Sequence, residues 1–142
     1  MNQPIKSNKE ARQEVKDFVF ENIEKNPVVS ILRGFSAPVR SIQTQSQKDL
    51  KFLLRHENDP YILWDSAQKL YRKEILQLIT HKQEGNELNP RQSFIEFFAY
   101  LLDKKDISQG LKSLILRFPE ETDLAMEIQN IDIDTLYLAC SV

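Results

Sequence analysis

Residues 56–60 read HENDP. A histidine followed by a glutamate opens the HExxH pattern, in which two imidazoles one helical turn apart hold zinc and the glutamate stands beside the metal-bound water. Here the fifth position is Pro60, which has no ligand atom. The only other histidine, His81, lies 25 residues further along. A site built from His56, Glu57 and Asp59 would lack a second nitrogen ligand. The stretch therefore reads as a boundary between helices. His56 closes one helix, Asp59 caps the next, and Pro60 takes the first helical position, where its missing N–H costs nothing. That second helix is expected to carry Trp64 into the core.

Other residues that could do chemistry fare no better. Cys140 is the single cysteine and sits in an apolar context without a histidine beside it, which argues against a nucleophile. Ser36 in GFSAP resembles the serine of a Gly-x-Ser-x-Gly elbow. Pro38 replaces the second glycine, and a strand is expected to follow where the elbow needs a helix. Phe94, Phe97 and Phe98 could line a ligand site, but at helical spacing they read as core. Glu120, Glu121 and Asp123 suit a helix N-terminus, where negative charge is stabilised. KEARQEVK (9–16) is too short and too mixed in sign for a nucleic-acid patch. No glycine-rich phosphate loop occurs. The reading assigns no catalytic, cofactor-binding or metal-ligating residue.

The elements that would position such groups are mostly helical. Residues 1–13 are polar and lack the apolar centre of a signal peptide, so they read as a disordered tail. Residues 14–44 alternate differently from the rest. EVKDFVFENI (14–23) sets Phe18 and Phe20 on one side and Val19 on the other. VVSILRGF (28–35) is a β-branched run ended by Gly34, and APVRSIQT (37–44) is a third short run. Together they read as two or three strands, a sheet too small to be stable alone.

From residue 45 the period changes to that of a helix. Ser46 with Asp49 forms a capping box ahead of Leu50, Leu53 and Leu54. A helix from Pro60 to about Gln83 follows the apolar positions 64, 67, 71, 75 and 78, with Gly85 as its stop. Asn89 and Pro90 repeat the cap-plus-proline device ahead of Phe94, Phe97, Phe98, Leu101 and Leu102. A short helix with Leu111, Leu114 and Ile115 inward ends before Pro119. Another covers about 120–129 with Leu124 and Ile128. The last is capped by Asp132 or Asp134. The fold class is thus mainly α: an array of about six helices over 45–142 with an N-terminal appendage of two or three strands.

With 142 residues, the chain suits one domain plus an appendage. A net charge of −2 exerts no long-range pull on nucleic acid or anionic membrane. No apolar run reaches the length of a membrane-spanning helix. One cysteine excludes an internal disulfide and fits a reducing, cytoplasmic setting.

Two stretches then stand out in combination: ILRGFSAPV (31–39) and DLKFLLRHENDPYILWDSAQKL (49–70). They resemble bacterial aminopeptidase N, a zinc-dependent alanyl aminopeptidase family, in which FSAPV precedes a segment of the form DLxFLxxHDxDPFxRWxAxQxL. Phe35, Ser36, Ala37, Pro38 and Val39 match the first motif. Asp49, Leu50, Phe52, Leu53, His56, Asp59, Pro60, Trp64, Ala67, Gln68 and Leu70 match the second. FVFENI (18–23), LLDKKDISQGLKSLILRFPEETDLA (101–125) and IDIDTLYLA (131–139) are similar to further segments, so the resemblance runs over roughly residues 17–142. Leu63 and Tyr61 depart from the family pattern.

The resemblance implies an interior fragment: the last strands of a β-sandwich domain (14–44) joined to the start of a helical C-terminal domain (45–142). The family's zinc, its HExxH and its exopeptidase glutamate belong to a catalytic domain that these residues do not resemble, so no zinc ligand carries over. The expected role is structural, helping to form the chamber over the active site. The expected partners are the remaining domains, and peptide substrates would be met only through the full enzyme. Strand edges at 14–44 or the last helix would favour self-association. The alternative is a free-standing helical interaction module that uses the 94–102 face.

Overall fold

Ser46 starts the helical body. Its hydroxyl accepts the Asp49 amide, and the Asp49 carboxylate takes the Ser46 amide in return, completing the capping box. In this computed structural model, which describes residues 19, 21–22, 24, 26–36, 39, 43–127 and 133–141, six α-helices follow. They are α1 (Gln47–His56), α2 (Pro60–Gln83), α3 (Gln92–Asp103), α4 (Gln109–Ile115), α5 (Glu121–Glu127) and α6 (Ile133–Ser141). The mainly α reading holds.

Helix α2 is the axis of the molecule. Asp59 caps it by accepting the Tyr61 and Ile62 amides, with Pro60 at the first position. Its end is a Schellman turn: the Asn86 amide reaches the His81 carbonyl, the Gly85 amide reaches Lys82, and Gly85 takes φ 84°. Two apolar clusters share this helix. Leu50 and Leu54 of α1, Leu63, Ala67, Leu70 and Tyr71 of α2, Phe94, Phe97 and Leu101 of α3, and Ile115 form the first. Ile75, Leu78 and Ile79 meet Leu124, Leu136 and Ala139 in the second. Each fully buried Leu or Ile contributes about 1.5–3 kcal/mol.

Several expectations change in detail. Trp64 is 41% exposed and lies beside Tyr61 at the surface. Ile62 and Leu63 take the inward places instead, because α2 is covered on more than one side. Leu102 and Leu114, expected inward, are exposed, while Leu111 packs against the first cluster. α3 begins at Gln92, not at Pro90, and its N-cap is Arg91, whose side chain makes no cap bond. The Glu74 carboxylate of α2 accepts the Arg91 amide at 2.9 Å, supplying the cap from another helix. Asn89 turns to Glu87 instead. α4 stops at Ile115, four residues before Pro119, and carbonyls at and just past its end are taken by α2: Tyr71 donates to the Ile115 carbonyl and Gln68 to that of Arg117.

The strand expectations fare differently. Residues 28–35 are described and make no strand. The chain turns at Leu32 (φ 61°) into a 3₁₀ turn over Arg33–Phe35. A strand needs a ladder partner, and here Ser30, Arg33 and the Gly34 amide bond to Glu57 and Asp59 in the turn between α1 and α2. Most of 14–23, including Phe18 and Phe20, and much of 37–44 lie outside the described residues, as do the 1–13 tail, Ile128 and the Asp132 cap.

Candidate functional site

The polar centre of the described residues is the HENDP turn between α1 and α2. Two helices ending and starting three residues apart crowd acceptors into it. Glu57 Oε1 accepts the amides of Asn58 (2.8 Å) and Asp59 (3.2 Å). The same carboxylate receives Arg33 Nη1 at 2.5 Å and, on Oε2, the Ser30 hydroxyl at 3.0 Å. Arg33 Nη2 continues to Asn58 Oδ1. Asp59 divides its oxygens: Oδ1 caps α2, and Oδ2 accepts the Gly34 amide at 2.7 Å. Gly34 adopts φ 65°, a left-handed conformation that costs glycine little. Phe35 then lies on Tyr61, ring centroids 5.1 Å apart.

This joint is almost wholly polar. No described residue before Leu50 is buried, and neither cluster contains one. The Glu57 side chain is 7% exposed. Burial pushes its carboxyl up, but the Asn58 and Asp59 amides, Ser30 and Arg33 outweigh that and hold it below the usual range. It therefore stays ionised and keeps all four donors.

The sequence candidates are placed apart. His56 closes α1 with its ring 4.5 Å from that of Phe52, while His81 lies in the last turn of α2. Between them Glu57 is occupied by donors and Asp59 by its cap duty. Among the described residues no three His, Cys, Asp or Glu side chains are grouped as metal ligands. The donor set does not fit zinc. Ser36 follows the 3₁₀ turn as its exposed C-cap, with no strand–turn–helix elbow around it. Cys140 is half-buried, and burial followed by the Glu121 carboxylate pushes its thiol up, away from the reactive thiolate. Phe94 and Phe97 are core. Phe94, Ile95 and Phe98 also border a mostly apolar groove of about 390 Å³ against Ile75, Leu78 and Ala139.

Sequence reading found Asp59 and Pro60 as a cap but missed Ser30, Arg33, Gly34, Glu57 and Asn58 as one network. A signal existed. Three consecutive acceptor side chains fill a gap too short for a loop, and that is more than one cap requires.

Comparison with known proteins supplies the context. Residues 47–141 match the family described as "Domain of unknown function (DUF3458_C) ARM repeats", and residues 4–44 match "Domain of unknown function (DUF3458) Ig-like fold". The joint thus brings residues 30–34, inside the second match, onto the start of the first. The chain is 35% identical over 130 residues to aminopeptidase N of Escherichia coli (strain K12), covering 91% of this chain and 15% of that protein. It is 30% identical over 122 residues to aminopeptidase N of Haemophilus influenzae, covering 86% of this chain and 14% of that protein. In fold it is similar to a crystal structure of Legionella pneumophila aminopeptidase A in complex with aspartic acid. There the TM-score is 0.66 at 24% identity, over 86% of this chain and 14% of that one.

Proposed function

Because this chain belongs to the DUF3458_C family of ARM-repeat domains and is homologous to part of bacterial aminopeptidase N, we propose that its function is structural: it joins an Ig-like segment to a helical array and holds the two in fixed relation. The observation that carries this is the Glu57–Asp59 joint, where residues from the two matched families meet through directed hydrogen bonds. Directed bonds fix orientation in a way that an apolar contact does not. The β-branched run over 28–35 lies inside the Ig-like match and makes no strand among the described residues, as suits one piece of a larger sandwich.

In this reading the joined unit works within an aminopeptidase. It shapes the chamber over a catalytic centre supplied by other residues and takes no part in bond cleavage. Peptides are met through the assembled enzyme. The chain spans about one-seventh of the length of the relatives it matches, 14–15%, so that activity is proposed for the assembly and not for these residues alone. The test is direct. Purified chain is assayed with an alanyl-anilide substrate, and no turnover is expected. Chelator-sensitive turnover overturns the reading.

A second reading, a free-standing helical interaction module, is favoured by the groove between α2, α3 and α6. Upstream DNA separates the two. A continuous reading frame encoding HExxH supports the joined unit, and a promoter with its own ribosome site supports the module.

A further inference from the structure

One face of α1 is cationic. Lys48, Lys51, Arg55 and His56 fall at i, i+3, i+7 and i+8 and so share a face, with Phe52 between them. Phe52 is 48% exposed. The face forms one wall of a groove of about 390 Å³, and Val28 lies opposite. Five cations elsewhere are ion-paired: Arg33 with Glu57, Lys69 with Asp65, Arg91 with Glu74, Lys104 with Asp106 and Arg117 with Glu120. On the α1 face none of the four makes an ion pair among the described residues. Lys51 donates to the Ser93 carbonyl, Arg55 lies over the rings of Phe97 and Tyr100, and His56 stacks on Phe52. The one carboxylate in the groove, Asp49, is committed to Ser46. Positive charge and an exposed phenyl ring therefore face outward together.

The same chain carries the complementary surface. Phe118-Pro119-Glu120-Glu121-Thr122-Asp123 carries three carboxylates, of which Glu120 is paired with Arg117, beside a phenylalanine that is 43% exposed. We infer that the Lys48–His56 face of one copy receives the Phe118–Asp123 segment of a second copy, with carboxylates on the cations and the exposed edge of Phe118 over Phe52 and Val28. The two surfaces of one chain cannot meet. Phe118 is stacked on Tyr71 at 4.6 Å, and Gln68 holds the Arg117 carbonyl at 2.8 Å, so the segment is fixed to the middle of α2. Contact between different patches either closes reciprocally as a two-fold dimer or runs head-to-tail. A peptide is favoured over nucleic acid because the whole chain is net negative and the cationic face is only two to three helical turns long.

The experiment is sedimentation velocity of the 142-residue chain across a wide concentration range, at low and high salt. Reversible growth that high salt weakens is expected. K48E/R55E and E120K/D123K are each expected to weaken association at least roughly tenfold. Mixing them is decisive. The acidic segment of the first variant fits the intact cationic face of the second, and the two charge-reversed patches are complementary in turn, so this mixture associates where neither variant does alone, whereas a mixture of K48Q/R55Q with E120Q/D123N stops at a 1:1 dimer. Both variants are checked for native helical circular dichroism, with K48Q/R55Q and E120Q/D123N as milder replacements. A wild-type chain that stays monomeric overturns the inference, as does a mixture that stays monomeric. Association unchanged in either variant overturns it too, and so does binding of single-stranded DNA or anionic vesicles that K48E/R55E abolishes while self-association persists.

Discussion

The Tyr71 hydroxyl donates to the Ile115 carbonyl at 2.9 Å, and both residues are almost wholly buried. The bond joins α2 to the last turn of α4, within a cage of Phe94, Phe98 and Phe118 rings. Burial pushes the phenol far up, so it remains a donor throughout the range in which the protein is folded. Tyr71→Phe leaves the carbonyl without its donor and is expected to cost about 1–3 kcal/mol. Tyr71→Ala also empties the cage and is expected to cost roughly 3–5 kcal/mol, by analogy with other large aromatic truncations. Urea unfolding measures both. Equal losses would mean that the ring contributes nothing beyond its hydroxyl.

Glu74 and Arg91 form an asymmetric pair. The Glu74 side chain is 3% exposed, whereas that of Arg91 is 36% exposed. Removing the arginine strands a buried carboxylate, so Arg91→Ala is expected to cost about 3–5 kcal/mol. Glu74→Gln leaves an arginine that still reaches water and is expected to cost less, about 1–2 kcal/mol. The order of the two losses in denaturant midpoints is the readout, and a reversed order would contradict the burial argument.

Acid should open the joint before it unfolds the helices. The folded Glu57 carboxyl lies below its ordinary value. Its contribution is therefore complete above the ordinary carboxylate range and is lost as pH falls through the lower folded value. Hydrogen exchange corrected for intrinsic rate is expected to show the Gly34 amide losing protection below about pH 4 while helical circular dichroism holds. Glu57→Gln is expected to lose that protection at neutral pH. A Gly34 amide that opens only with global unfolding would show that Glu57 does not govern the segment.

Two glycines predict opposite outcomes. Gly85 holds φ 84° in open space, so Gly85→Ala is expected to cost about 1 kcal/mol through backbone strain alone. Gly110 lies inside α4 with nothing near its missing Cβ, so Gly110→Ala is expected to stabilise by about 0.5–1 kcal/mol. Thermal midpoints report the sign of each.

Local chemistry was readable in the sequence, and choices made between elements were not. Ser46 with Asp49, Asp59 with Pro60, and Gly85 act through bonds a few residues long, and all three fall where their spacing puts them. Trp64, Leu102 and Leu114 were misplaced because helical period gives a face but not how many neighbours cover it. The start of α3 moved because its cap comes from Glu74, 17 residues away. Residues 28–35 have the composition of a strand, yet a strand also needs a partner, and their polar groups found Glu57 and Asp59 instead. The same distance hid the joint, since Arg33 and Glu57 are 24 residues apart.

Helix α2 runs from Asp59, which anchors Gly34, to the cluster that holds α6. Its 24 residues span roughly 36 Å at the ordinary helical rise. A stiff rod of that length acts as a lever. A tilt of about 5° at the joint displaces the far end by about 3 Å over that length. The hydrogen bonds around Glu57 and Asp59 thus set an angular tolerance for everything mounted beyond Leu78. A small loss of geometry at HENDP would be read out, enlarged, at the opposite end of the molecule.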